Sequence, residues 1–180
     1  MSPGQPVMRL PRQLRNCALA VALLSAAASA GAQTIDVQRI DVLQHGTYSV
    51  EIDRTVDNQD LPGGRNTFVS NIQNTKITND IAAHIGVTFG FEYVARGTPD
   101  NAEVTLQKII RLPPLGMRDP ITRSTFYRYE DGAAVRIGRP TYAGYTLEYD
   151  WELVPGLWTF ELWYQGRKLA EQVFMIGKSD

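Results

Sequence analysis

The chain has 180 residues, 43% of them hydrophobic, and a formal net charge of −1. That balance argues against a nucleic-acid or anionic-membrane binder, both of which need a basic face. The one cysteine, Cys17, has no partner for an intrachain disulfide, so packing must hold the core unless a partner helps.

Residues 1–32 read as a signal peptide. Arg9, Arg12 and Arg15 form a basic start without acidic residues, Cys17 to Ala28 is a short apolar run, and Ala30-Gly31-Ala32 is a small-residue cleavage site. Ala28-Ser29-Ala30 offers a second site two residues earlier. The run is too short and too Ala-rich for a stable membrane span. A lipoprotein is not expected, because Cys17 precedes the apolar run instead of following it. Nothing later is apolar enough to cross a bilayer. The expected organisation is a signal peptide over 1–32, one domain over 33–180, and a periplasmic or secreted location. The first 32 residues hold three of the 18 basic residues and none of the 19 acidic ones, so the exported chain is the more acidic.

From Thr34 to Arg54 the sequence suggests a hairpin-like pair. Ile35, Val37, Ile40 and Val42 recur with an irregular phase, consistent with a bulge or an edge strand. His45-Gly46 breaks the run, and Tyr48, Val50 and Ile52 then alternate as a half-buried strand. Thr55 to Asn66, with Asp57, Asn58, Asp60 and Pro62-Gly63-Gly64, reads as a solvated loop. A strand is expected around Phe68–Ile72 and a second around Thr78. His84–Ala95 is the strongest central strand, with Ile85, Val87, Phe89, Phe91 and Tyr93 on one face. Its Gly86 and Gly90 suggest a bulge or close backbone approach. Strands follow at Glu103–Leu112, about Thr122–Tyr129, Ala134–Ile137 and Gly144–Trp151, with a turn at Glu130-Asp131-Gly132. No segment of ten residues after the signal keeps a 3.6-residue period. Short strands between Gly, Pro and Asp turns predict an all-β, immunoglobulin-like antiparallel β-sandwich.

The stretch around which the chain is organised is Trp151 to Ile176. Trp158, Phe160, Leu162 and Tyr164 alternate with Thr159, Glu161 and Trp163, Gln165-Gly166 supplies a tight turn, and a second strand ends on Phe174 and Ile176. Pro155-Gly156 before them resembles the E–F corner of immunoglobulin-like sandwiches. The residues of Glu152–Phe174, together with His45-Gly46-Thr47-Tyr48 and Gly86–Tyr93, resemble the domain of unknown function 3859 family. That resemblance implies a small, secreted, β-rich bacterial domain, and it brings no activity or catalytic residue with it.

Little in the chain predicts chemistry. His45 and His84 lie far apart without Cys, so no metal site is expected. The Asp57–Asp60 loop lacks the alternating ligands and terminal bidentate Glu of a calcium loop. No Ser has a nucleophile's context, and no Gly-rich loop precedes a helix. Glu148, Asp150 and Glu152 read as solubility residues on the outward face of one strand, not as a glycosidase pair. Neither a cofactor nor a catalytic residue is expected. The residues singled out for binding are Trp163, which is out of phase with the core, and Tyr127 and Tyr129, which share a face expected to be partly exposed. The leading expectation is an exported, non-catalytic interaction module of the cell envelope, with an envelope protein or a glycan as partner. A small-ligand or glycan-binding sandwich is the rival and an unrecognised hydrolase the third reading. Aromatics around a groove would favour glycan, an apolar patch or open strand edge a protein, and buried paired carboxylates an enzyme.

Overall fold

Alternating apolar residues can be buried only by facing a second sheet, and the chain folds into two sheets that do so. The computed structural model describes residues 34–178; the signal-peptide reading and its cleavage sites fall outside them. One sheet is built from β1 (Asp36–Asp57), β2 (Arg65–Lys76), β4 (Thr88–Thr98) and β9 (Pro140–Thr146), in the order β2-β1-β4-β9. The other is built from β3 (Asp80–Ala83), β5 (Glu103–Arg111), β8 (Arg128–Arg136), β10 (Gly156–Tyr164) and β11 (Arg167–Lys178), in the order β3-β11-β10-β5-β8. A small hairpin, β6 (Met117–Asp119) with β7 (Ser124–Phe126), lies apart from both. Among the described residues the helical segments are two three-residue turns, Pro62–Gly64 and Asp150–Glu152, and no helix is long and apolar enough to cross a membrane.

The organising hairpin forms as its alternation predicts. Trp158, Phe160, Leu162, Phe174 and Ile176 are buried. Phe89 of β4 meets Trp158, Phe160 and Phe174 edge-on, with ring centroids 5.7, 5.7 and 5.3 Å apart. Gln165 and Gly166 both take positive φ, as a two-residue hairpin turn requires. At the Pro155-Gly156 corner, Trp158 Nε1 donates to the Val154 carbonyl 3.0 Å away, so the indole plays the part that a Tyr hydroxyl takes in a tyrosine corner.

Several local expectations give way to pairing. The expected hairpin over Thr34–Arg54 is one long strand. β1 pairs with β4 through Asp36–Tyr48 and with β2 through Thr47–Asp57, and register shifts along it produce the irregular apolar phase. Beyond Tyr48, β1 and β2 continue as a two-stranded ribbon. The Thr55–Asn66 loop is not wholly solvated: Leu61, Pro62 and Gly64 are buried at the ribbon tip. Asp119, itself buried, holds this tip by accepting from Gly63 N at 2.8 Å and from Thr122 Oγ1 at 2.9 Å. The turn expected at Glu130-Asp131-Gly132 is the middle of β8, because each of these residues has a cross-strand partner on β5. β9 starts at Pro140, where an edge strand needs no ladder donor on its open side. β4 starts only at Thr88, leaving Ile85 exposed. The sandwich is antiparallel except where β3 pairs parallel with β11; β3 reaches that edge by a crossover from the other sheet, so no hairpin imposes a reversal.

Candidate functional site

Val104, Leu106 and Ile110 occupy the inward phase of β5 and are buried, as is Leu112 just past its end. Lys108 has the same phase, so the strand carries an ammonium group into the sandwich at its open edge. Its cross-strand partner is Asp131 of β8. Lys108 Nζ lies 3.8 Å from Asp131 Oδ2, with the Lys108 side chain 18% exposed, and it makes no hydrogen bond among the described residues. Burial pushes the Lys108 pKa down, and Asp131 offsets only part of that. Two residues before Asp131, on the same face of β8, Tyr129 is 7% exposed and its hydroxyl has no hydrogen-bond partner. Burial raises its pKa well above that of an ordinary phenol.

The opposite wall comes from the chain after β9. The strand expected through Trp151 ends at Thr146, and the Asp150–Glu152 turn swings Glu152 inward to 3% exposure. Glu152 is thus not an outward solubility residue. Tyr145 donates its hydroxyl to Glu152 Oε1 at 2.7 Å, and the backbone amides of Glu148 and Tyr149 donate to Glu152 Oε2. Burial raises the Glu152 pKa despite these donors. The three-residue turn explains the missed inward phase: a two-residue period cannot register a change of backbone direction.

The ribbon tip closes the third side. Arg65 pairs with Glu148, their side chains 37% and 24% exposed, and Arg65 also lies over the Tyr149 ring, 5.3 Å from its centroid. Tyr149 in turn stacks on Trp151. Asn66 Nδ2 donates to Asp131 Oδ2 at 2.9 Å. Between ribbon, β9 edge, turn and β8 lies a cavity of about 110 Å³, lined among others by Lys108, Tyr129, Asp131, Tyr145, Glu148 and Glu152. Perturbed titratable groups converging on one cavity mark a candidate site. Its chemistry is that of hydrogen-bonded recognition: two groups with donors to spare stand among carboxylates and phenol rings.

Of the three residues singled out from the sequence, only Tyr129 lines this cavity, and it is buried, not exposed. Tyr127 is 59% exposed between β7 and β8, so the two tyrosines do not share an open face; strand alternation resumes only at Arg128. Trp163 stands half-buried on the outer face of β10, and its indole N–H donates to Glu161 at 2.8 Å. The three form no common surface. Lys108, Asp131 and Glu152 were missed, yet the first two carry a signal: each is a charged residue in the inward phase of its strand. His45 lies in β1 and His84 before β4, and among the described residues no three His, Cys, Asp or Glu gather as a metal site requires.

The family described as Domain of unknown function (DUF3859) matches residues 36–176, which takes in the whole cavity wall. The fold is similar to the crystal structure of an immunoglobulin-like protein from Pseudomonas aeruginosa, with 20% identity and a TM-score of 0.54 over 82% of this chain and 100% of that one. No curated protein matches the chain. The match from the first strand to the last, on two facing sheets closed by the Trp158 corner, leads to one conclusion: the chain belongs to the DUF3859 family, and its fold is an immunoglobulin-like β-sandwich.

Proposed function

We propose that the protein is an exported, non-catalytic binding module of the cell envelope and that it takes a small polar ligand in the cavity beneath the ribbon tip. The observation that carries this reading is Lys108, which lines the cavity with its ammonium group 3.8 Å from Asp131 and without a hydrogen-bond partner among the described residues. An unpaired buried polar group costs about 1–3 kcal/mol, which a ligand acceptor would remove. A catalytic role has less support, because both oxygens of Glu152, the most buried carboxylate of the cavity, are already held by Tyr145 and two backbone amides. Export rests on the Arg-rich start, the short apolar run and Ala30-Gly31-Ala32. N-terminal sequencing of the exported protein should begin at Gln33 or Gly31.

The binding reading is tested by native mass spectrometry of protein taken from its host's envelope without denaturant. A co-purifying small molecule should appear on the wild type and be absent from Lys108→Met. The same molecule on both, or none on either, would sink the cavity reading. A protein partner is the second reading, favoured by exposed Tyr127 packed on Gly116 beside exposed Leu115. It predicts that Tyr127→Ala releases a partner that Lys108→Met retains.

A further inference from the structure

We propose that the cavity takes a neutral, polyhydroxylated ring: one sugar residue, free or at the end of a glycan. This rests on the cavity being a ligand site and adds the class of ligand. The unpaired groups of the wall point to this class. Lys108 has donors without acceptors. Asp131 Oδ1 and Glu148 Oε1 accept no hydrogen bond among the described residues, since Asn66 uses Asp131 Oδ2 and Arg65 uses Glu148 Oε2. A wall that interleaves spare donors with spare acceptors is matched by groups that both donate and accept, and a hydroxyl does both.

Charge points the same way. Arg65 and Lys108 face Asp131, Glu148 and Glu152, so the wall is close to balanced. A ligand carboxylate would satisfy Lys108 but stand against three carboxyl groups in a desolvated site, and an ammonium ligand would stand against Lys108 and Arg65. A neutral ligand avoids both conflicts. Tyr142 and Tyr145 add ring surface of the kind on which the C–H face of a sugar packs. Size sets the limit. A volume of about 110 Å³ is below the pockets of about 300 Å³ and more that enclose larger ligands. At that size the cavity encloses part of one ring, and the rest of the ring or chain stands at its mouth.

The test is a titration of the ¹⁵N-labelled protein, followed by amide chemical shifts and calorimetry. The probes are glucose, N-acetylglucosamine, glucuronate and an equimolar mixture of neutral amino acids. A neutral sugar should bind saturably, with shifts centred on Lys108, Asp131 and residues 145–152. Lys108→Met should weaken that binding at least tenfold while melting no lower than the wild type. Tyr93→Phe is the control, because Tyr93 carries an unpartnered buried hydroxyl that does not line the cavity, and it should leave the affinity unchanged. Binding of glucuronate or amino acids in the cavity without any neutral sugar overturns the sugar assignment and leaves the cavity as a ligand site. No binding by any probe, or shifts confined to other regions, overturns both. Methyl glycosides separate the two sources, since the end of a glycan tolerates a methyl group at its anomeric oxygen.

Discussion

Trp158 and Trp163 lie on opposite faces of β10, and their surroundings set opposite prices for truncation. Trp158 is fully buried, its indole N–H is bonded to Val154, and its ring meets Phe89 and Tyr145. Trp158→Ala should cost about 3–5 kcal/mol, a large part of the roughly 5–15 kcal/mol that holds a domain. Trp163 is half-buried on the outer face, where Glu161 also accepts from Arg111 Nε at 2.9 Å. Burial alone would raise the Glu161 pKa, but the hydrogen bonds from Arg111 and Trp163 outweigh it and hold the carboxyl below its ordinary range. With Arg111 still in place, Trp163→Ala should cost about 1 kcal/mol. Urea denaturation midpoints of the two variants decide the matter. Equal losses would mean that the outer-face network depends on the indole as much as the core depends on Trp158.

At the scale of the element, β1 serves two pairings, and Gly46 stands where they meet. It has φ +139°, and a Cβ there would lie 1.9 Å from the Lys76 carbonyl oxygen. Gly46, Gly90 and Gly144 pair across three strands, and Tyr142 packs on Tyr48 beside this row, with ring centroids 4.8 Å apart. The close approach suggested by Gly90 is real: a Cβ on it would meet the Ala143 carbonyl oxygen at 2.2 Å. Gly46→Ala should cost about 3 kcal/mol or more through strain and overpacking. Amide exchange should quicken first in residues 48–57 and 65–76, ahead of β10 and β11. Unchanged exchange in the ribbon would show that β1 does not need glycine at the junction.

For the whole molecule, the acid limit of stability should depend on Asp119. This carboxylate ties the ribbon tip to the β6–β7 hairpin through Gly63, Ile121 and Thr122. Burial acts to raise its pKa, but the bonds from Gly63, Thr122 and Ile121 together hold it below the ordinary value of 3.8. Its contribution is therefore complete above the unfolded value and is lost as pH falls through the depressed folded value. Asp119→Asn should lower stability at neutral pH by about 2 kcal/mol, the scale of a hydrogen bond to a charged group. The variant should also lose less stability on acidification than the wild type does. Parallel acid limbs in the two proteins would assign the acid response to other carboxylates.

By itself the sequence determined the class of fold and most of its buried faces. Phe89, Phe91, Tyr93, Trp158, Phe160 and Leu162 are legible because a strand's two-residue period is local, and a local pattern needs no partner to be read. It also held an unread signal in Lys108 and Asp131, charged residues in inward phase. The tertiary structure alone decided the rest. Pairing with β5 carries β8 straight through Glu130-Asp131-Gly132, where turn propensity is overruled by cross-strand partners. The Asp150–Glu152 turn directs Glu152 inward, and the ribbon tip closes over Asp131. The cavity depends on β2, β5, β8 and the turn after β9 meeting far apart in sequence, so no single stretch encodes it.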